Sequence, residues 1–113
     1  MAARILLALD TPDVATASAQ ARAAGDAIDG IKLGLEFFVA NGPAGVAEVQ
    51  RAGRPLFLDL KLHDIGNTVG KGVESVAKLG ATFLTVHAYP QTMHAAVDAR
   101  KGSGLQARKF LLF

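Results

Sequence analysis

Short apolar runs recur along the chain about 25 residues apart: Ile5 to Leu9, Ile28 to Leu33, Leu56 to Leu60 and Phe83 to His87. Alanine-rich segments with helix punctuation lie between them. Thr11-Pro12-Asp13 has the form of an N-cap followed by proline at the first helical position, and Gly25 suits the end of that helix. Pro43 opens a second helical segment that closes at Gly53. Asn67 or Thr68 is placed to cap a third, which ends at Gly80, and Tyr89-Pro90 begins a fourth. The pattern predicts strands near residues 4–9, 28–33, 55–60 and 82–87, each followed by a helix.

Strand and helix alternating on this period imply βαβ units and a parallel sheet. A doubly wound sheet and a (β/α)8 TIM-type barrel both satisfy the pattern. The glycine fingerprint G-x-G-x-x-G is absent, and "GPAG" at residues 42–45 follows a helical turn instead of a strand. The barrel is the expected fold, as a single domain over residues 1–113. The chain supplies the first four βα units and a candidate fifth strand in "LQARKFLLF".

Composition narrows the class. The 113 residues are 50% hydrophobic and 19% charged, which suits one globular core and is too short for two ordinary domains. With no cysteine, disulfides and thiolate metal sites are excluded. Residues 79–97 carry no Asp, Glu, Lys or Arg, yet Pro90, Gln91 and His94 break them up, so no membrane span is expected. "MAARILLALD" is too short an apolar run for a signal peptide, and a cytoplasmic protein is the expectation. The net charge of +2 belongs to the tail: before residue 100, eight basic residues face ten acidic ones, and Arg100, Lys101, Arg108 and Lys109 supply the excess. No basic stripe or aromatic platform suggests a nucleic-acid partner.

Candidate chemistry gathers where the strands end. Asp10 closes the first, Lys32 lies near the close of the second, Asp59 and Lys61 close the third, and His87 closes the fourth. In a barrel these ends form the face that carries active sites. Asp59 and Lys61 are two apart, so on an extended strand they point the same way. Asp64 follows where the chain turns toward the next helix. Singly, such charges are usually solvated loop residues or helix caps, Asp13 and Asp64 included, and His87 reads as a structural histidine. Two lysines and three carboxylates of alternating sign on one rim are harder to explain that way. At ~4 Å and an effective dielectric of about 20, one opposite charge is worth roughly 4 kcal/mol, so Lys61 between Asp59 and Asp64 should keep its proton. That argues against a Schiff-base lysine, and two ammonium groups leave no room for a metal ion. A protonated lysine beside carboxylates is suited to quench a developing carbanion, while Asp59 repels a substrate carboxylate until it leaves as CO2.

The segments "LALD", "IKLG" and above all "FLDLKLHDIGNTV" resemble, in order and spacing, the signatures of the orotidine 5′-phosphate decarboxylase family. The resemblance covers about residues 4–100, the first half of that family's fold. It implies a cofactor-free, metal-free, homodimeric (β/α)8 barrel that converts orotidylate to UMP in pyrimidine biosynthesis. It implies further that Lys61 is the proton donor and Asp59 the carboxylate facing the departing CO2. Lys32 would hydrogen-bond this network and the ribose, and Asp10 would bind a ribose hydroxyl. Asp64, with Ile65 and Thr68, would reach into the partner's site. The substrate-contacting stretch would run through Asp59, Leu60, Lys61, Leu62, His63, Asp64, Ile65, Gly66, Asn67 and Thr68.

Two departures stand out. Gly66 occupies a position where many members have proline, and residues 100–113 form an atypical basic and apolar tail where an apolar fifth strand is expected. The family's phosphate-gripping residues lie beyond this length, so a truncated chain, inactive alone, is the expectation. Two alternatives remain. A Mg²⁺-dependent sugar-phosphate decarboxylase or synthase of the same superfamily would lose activity with a chelator. A non-catalytic half-barrel would bind no orotidylate.

Overall fold

The computed structural model describes residues 3–102 and, for the backbone alone, 111–112. Strands and helices alternate: β1 (Leu6–Ala8), α1 (Val14–Ala24), β2 (Gly30–Gly34), α2 (Leu35–Gln50), β3 (Leu56–Leu62), α3 (Gly66–Lys78), β4 (Phe83–Val86), α4 (Pro90–Gly102) and β5 (Leu111–Leu112). All four predicted strands are present. The predicted fifth strand is represented by Leu111–Leu112, and the rest of that segment lies outside the described residues. The chain forms two compact units, Met1–Phe57 and Leu58–Phe113, with the division inside β3.

In the first unit, β1 runs parallel to β2 with Leu6 opposite Gly30 and Ala8 opposite Lys32. The ladder extends through Leu9 N–H to the Lys32 carbonyl, 3.0 Å, and Asp29 N–H to the Ile5 carbonyl, 2.8 Å. The Ile31 N–H donates to the Pro55 carbonyl at 2.9 Å, tying β2 to the approach of β3. The core collects Leu9, Ala17, Ala21, Ile31, Leu33, Phe37, Val46, Val49 and Leu56, all fully buried or nearly so. Gly30 is required here. A Cβ on it would stand 2.6 Å from Leu6 Cδ2 and 2.9 Å from the Pro55 oxygen, closer than real side chains approach.

Helix boundaries differ from expectation in three places, each for a local reason. The cap of α1 is Asp13, not Thr11: its carboxylate accepts from the Thr16 N–H at 2.7 Å and the Thr16 hydroxyl at 2.6 Å. Thr11 instead holds the preceding turn, its Oγ1 accepting from Asp13 N–H. Helix α2 starts at Leu35 and breaks at Gly42 (φ 63°), so Pro43 opens only its second half. The break is bridged by Asn41, whose Nδ2 donates to the carbonyls of Phe37 and, at 2.7 Å, Pro12. Helix α3 is capped by Ile65 without any side-chain bond, so neither Asn67 nor Thr68 caps it. Gly25, with φ 53°, and Pro90 sit at helix ends as expected.

In the second unit, the remainder of β3 neighbours β4, and β4 runs parallel to β5 with Phe83 opposite Leu111. The His87 N–H reaches the Leu62 carbonyl at 2.9 Å. Helix α3 buries Val69, Val73 and Val76, spaced i, i+4, i+7 along one face. Helices α3 and α4 approach through small residues: Cβ atoms built on Gly66 and Gly70 would lie 3.8 Å from those of Ala95 and Ala99. Along β3 burial alternates, with Leu58 and Leu60 in the core and Asp59 on the opposite parity. That alternation lets a strand with two charges still anchor the core.

Candidate active site

Asp10 and Lys32 lie in the first unit. Asp10 is exposed, one residue past the buried Leu9, and Lys32 is half-buried within β2. The segment from Asp59 to Thr68 lies in the second unit, where Asp59 and Lys61 form a connected set with Thr85.

Lys61 Nζ donates to Asp59 Oδ1 at 2.9 Å. The same oxygen accepts the Thr85 hydroxyl at 2.7 Å, and Thr85 Oγ1 in turn accepts the Lys61 backbone N–H at 2.9 Å. Asp59 is largely enclosed, its side chain 15% exposed, whereas that of Lys61 is 64% exposed. An enclosed carboxylate is costly unless paired and hydrogen-bonded, and this one is both.

The proximity of Asp59 and Lys61 was expected from strand parity, but the strand is not extended at Lys61. Lys61 has φ 51°, and among the described residues it is the one non-glycine with positive φ. The left-handed conformation costs a residue with a Cβ about 1–2 kcal/mol. Such strain persists where surrounding contacts over-determine the backbone, and it clusters at functional sites.

Asp64 is placed differently from the sequence expectation. Its Oδ1 accepts the N–H of Ile65 at 2.7 Å, immediately before α3, so the Lys61 ammonium is paired with Asp59 and the Asp64 carboxylate with its own turn. Ile65 is 73% exposed, and Thr68 is also exposed. Leu60 is 7% exposed and packs in the core. Leu62 is half-buried, and its carbonyl accepts the His87 N–H just past β4. Gly66 and Asn67 form the first turn of α3, where Asn67 borders a groove of about 370 Å³ with Lys71, Glu74 and Asp98.

His63 turns toward α4. Its Nδ1 lies 3.0 Å from the Oγ1 of the buried Thr92, and its ring stacks on Tyr89 at 4.5 Å between centroids. The His87 ring is 5.1 Å from that of His63. Sequence reasoning passed over Thr85 and Thr92 and read Tyr89 only as a helix start. The available signal for Thr85 was a lone hydroxyl in an apolar strand, two residues before His87. Among the described residues, no group of three or more His, Asp or Glu is placed to hold a metal ion, and no helix is long and apolar enough to cross a membrane.

Four βα repeats and a fifth strand, with charged residues at the ends of the strands, define a (β/α)8-barrel architecture of which this chain presents about half. The chain belongs to the orotidine 5′-phosphate decarboxylase / HUMPS family, whose model matches residues 3–112. It is 54% identical over 103 residues to an orotidine 5′-phosphate decarboxylase of Afipia carboxidovorans, a match covering 91% of this chain and 44% of that protein. It is 55% identical over 103 residues to one from Methylorubrum populi, with the same coverage. Among solved structures, the orotidine 5′-phosphate decarboxylase of Lactobacillus acidophilus superposes with a TM-score of 0.83 at 32% identity, over 96% of this chain and 50% of that one. That of Pyrococcus horikoshii gives 0.77 at 28% identity, over 84% and 47%. The chain thus spans about half the length of the relatives it matches.

Proposed function

We propose that this chain carries the proton-donating half of an orotidylate decarboxylase site, with Lys61 as the general acid. The observation that carries the reading is the Lys61–Asp59 ion pair at 2.9 Å, held at a strand end by a strained backbone. The names of the curated relatives favour orotidylate over a sugar phosphate.

In this mechanism the bond between the ring carbon and the carboxylate carbon breaks, CO2 departs, and the electron pair stays on the ring. The Lys61 ammonium delivers a proton to that carbon, giving UMP, and the amine regains its proton from solvent. Asp59 contributes in two ways. It keeps the ammonium charged and directed, and it repels the substrate carboxylate in the ground state, a repulsion relieved as CO2 forms. Lys32 and Asp10 serve the ribose side. Asp64, Ile65 and Thr68, exposed here, serve a second copy in a cytoplasmic homodimer; the exposure of Ile65 supports that reading.

The test is a chimera in which residues 3–102 replace the matching segment of the Afipia carboxidovorans enzyme. Absorbance should report conversion of orotidylate to UMP, and Lys61→Ala should lower the rate by about 10² to 10⁴, as expected for a positioned general acid. A Lys61→Ala chimera within threefold of its parent would remove Lys61 from the chemistry. Chelator sensitivity would favour a metal-dependent sibling.

A further inference from the structure

We propose that Thr85 is a positioning residue for the Asp59–Lys61 pair, one hydroxyl fixing the carboxylate and the strained lysine backbone together. The proposal rests on the decarboxylase reading only for its catalytic consequence. Its structural content stands on three distances.

Those distances close a ring. Lys61 N–H donates to Thr85 Oγ1 at 2.9 Å, Thr85 O–H donates to Asp59 Oδ1 at 2.7 Å, and Lys61 Nζ donates to that same oxygen at 2.9 Å. A hydroxyl has one proton to give and lone pairs to accept with, and both capacities are engaged here in the only consistent sense. The backbone N–H cannot accept, so Thr85 must receive from it. The hydroxyl proton is then available to the carboxylate alone. Since a charge-assisted O–H···O⁻ bond is short and strong, the rotor is fixed.

Two consequences follow for Lys61. Its φ of 51° is otherwise unfavourable, and the N–H bonded to Thr85 lies in the peptide plane from which that left-handed turn departs. The Thr85 oxygen anchors that peptide plane at 2.9 Å, on the amino side of the strained residue, while the ammonium at the end of the same side chain is anchored through Asp59. Meanwhile the Asp59 oxygen that receives the ammonium is held by Thr85 against rotation about the carboxyl bond. Position 85 therefore needs both a hydroxyl and a β-carbon on β4 beside β3. Serine meets that requirement, but valine, with threonine's shape, does not.

The first measurement needs no variant. In the 113-residue chain, the Lys61 amide should exchange with solvent more slowly than the amides of exposed turns, and its H–N–Hα coupling should report a left-handed residue. Free exchange, or an extended coupling, would overturn the proposal. In Thr85→Val, Lys61 exchange should accelerate about fivefold, the equivalent of one net hydrogen bond, while amides of α1 stay unchanged. Thr85→Ser should restore the parent rate. Acceleration spread across the whole chain, or no rescue by serine, would assign Thr85 a packing role only.

In the chimera, Thr85→Val should lower kcat by roughly 10- to 100-fold, the range seen when a partner orienting a functional ligand is lost, with KM little changed. A fall in KM-dependent terms alone would contradict a role at the proton donor. The amide readouts involve no turnover. If Lys61→Ala leaves the chimera active while the Lys61 amide behaves as described, the decarboxylase reading fails and the Thr85 ring stands.

Discussion

Replacing Lys61 by glycine should separate what this residue does for stability from what it does for chemistry. At φ 51° a residue with a Cβ sits in a conformation costing about 1–2 kcal/mol. Glycine escapes that cost but loses about 0.5–1 kcal/mol more than alanine through the freedom of its unfolded chain. The net advantage of Lys61→Gly over Lys61→Ala is therefore about 0.75 kcal/mol at mid-range, between limits of about 0 and 1.5. Both variants lose the Asp59 ion pair, and because the lysine side chain is 64% exposed, solvent screening limits that loss to about 0–1 kcal/mol. Both keep the backbone N–H that donates to Thr85, so that term cancels. Urea denaturation followed by circular dichroism should then place the midpoint of Lys61→Gly about 0.3–0.7 M above that of Lys61→Ala, and close to the parent. Neither variant should support decarboxylation in the chimera. A glycine midpoint below the alanine one by the full entropic cost of about 0.5–1 kcal/mol would show that the left-handed backbone carries no strain, and the link between strain and function would fall with it.

Four further outcomes are expected. Gly30→Ala should lower stability by about 1–3 kcal/mol through overpacking, because the Pro55 oxygen facing the new Cβ is pinned by Ile31 N–H; an unchanged urea midpoint would refute this. Gly66→Pro should raise stability by about 0.4–1 kcal/mol, since residue 66 opens α3 and Ile65 has the ψ of 152° that a following proline favours; calorimetric destabilisation would contradict it. The Thr16 hydroxyl, and after it the Thr16 N–H, hold the Asp13 carboxyl below its ordinary value of 3.8. This cap's contribution is thus full above that value and lost as pH falls through the lower folded one, so the stability gap between parent and Asp13→Ala should narrow in acid; a gap that does not change with pH would sink the assignment. Residues 1–113 alone should not turn over orotidylate, because barrels commonly grip phosphate in the loops after strands seven and eight; a rate above that of Lys61→Ala in the same assay would show that grip to be dispensable.

The strands were legible because apolar periodicity survives in any packing: Leu56, Leu58 and Leu60 alternate as a strand with one core face must. The pairing of Asp59 with Lys61 was legible too, although for an incomplete reason. Parity assumes an extended chain, and no sequence rule places a lysine in the left-handed region. The role of Asp64 in its own turn was hidden because short carboxylates satisfy nearby N–H groups as readily as distant charges. Thr85 was hidden for the opposite reason: its partners are 24 and 26 residues away, and a threonine in a strand ordinarily signals β-propensity alone. Helix starts were the least legible. Several capping residues lie within a few positions of each start, and tertiary partners such as Asn41 decide among them.

The turn carrying Asp10 is held from several directions. Leu9 N–H is bonded to Lys32, Thr11 N–H to the Leu9 carbonyl, Asp13 N–H to the Thr11 hydroxyl, and the Pro12 carbonyl to Asn41 Nδ2. Fixing one residue's backbone costs roughly 1–2 kcal/mol in entropy. For this stretch that cost falls during folding and not when a ligand arrives. On the proposed reading, a hydroxyl meeting Asp10 would encounter an acceptor whose backbone is already ordered, so its contact would contribute to affinity without an accompanying loop-ordering penalty. Asn41→Ala, some thirty residues away in sequence, would return part of that penalty to the binding step, weakening association while leaving every ligand-facing atom in place.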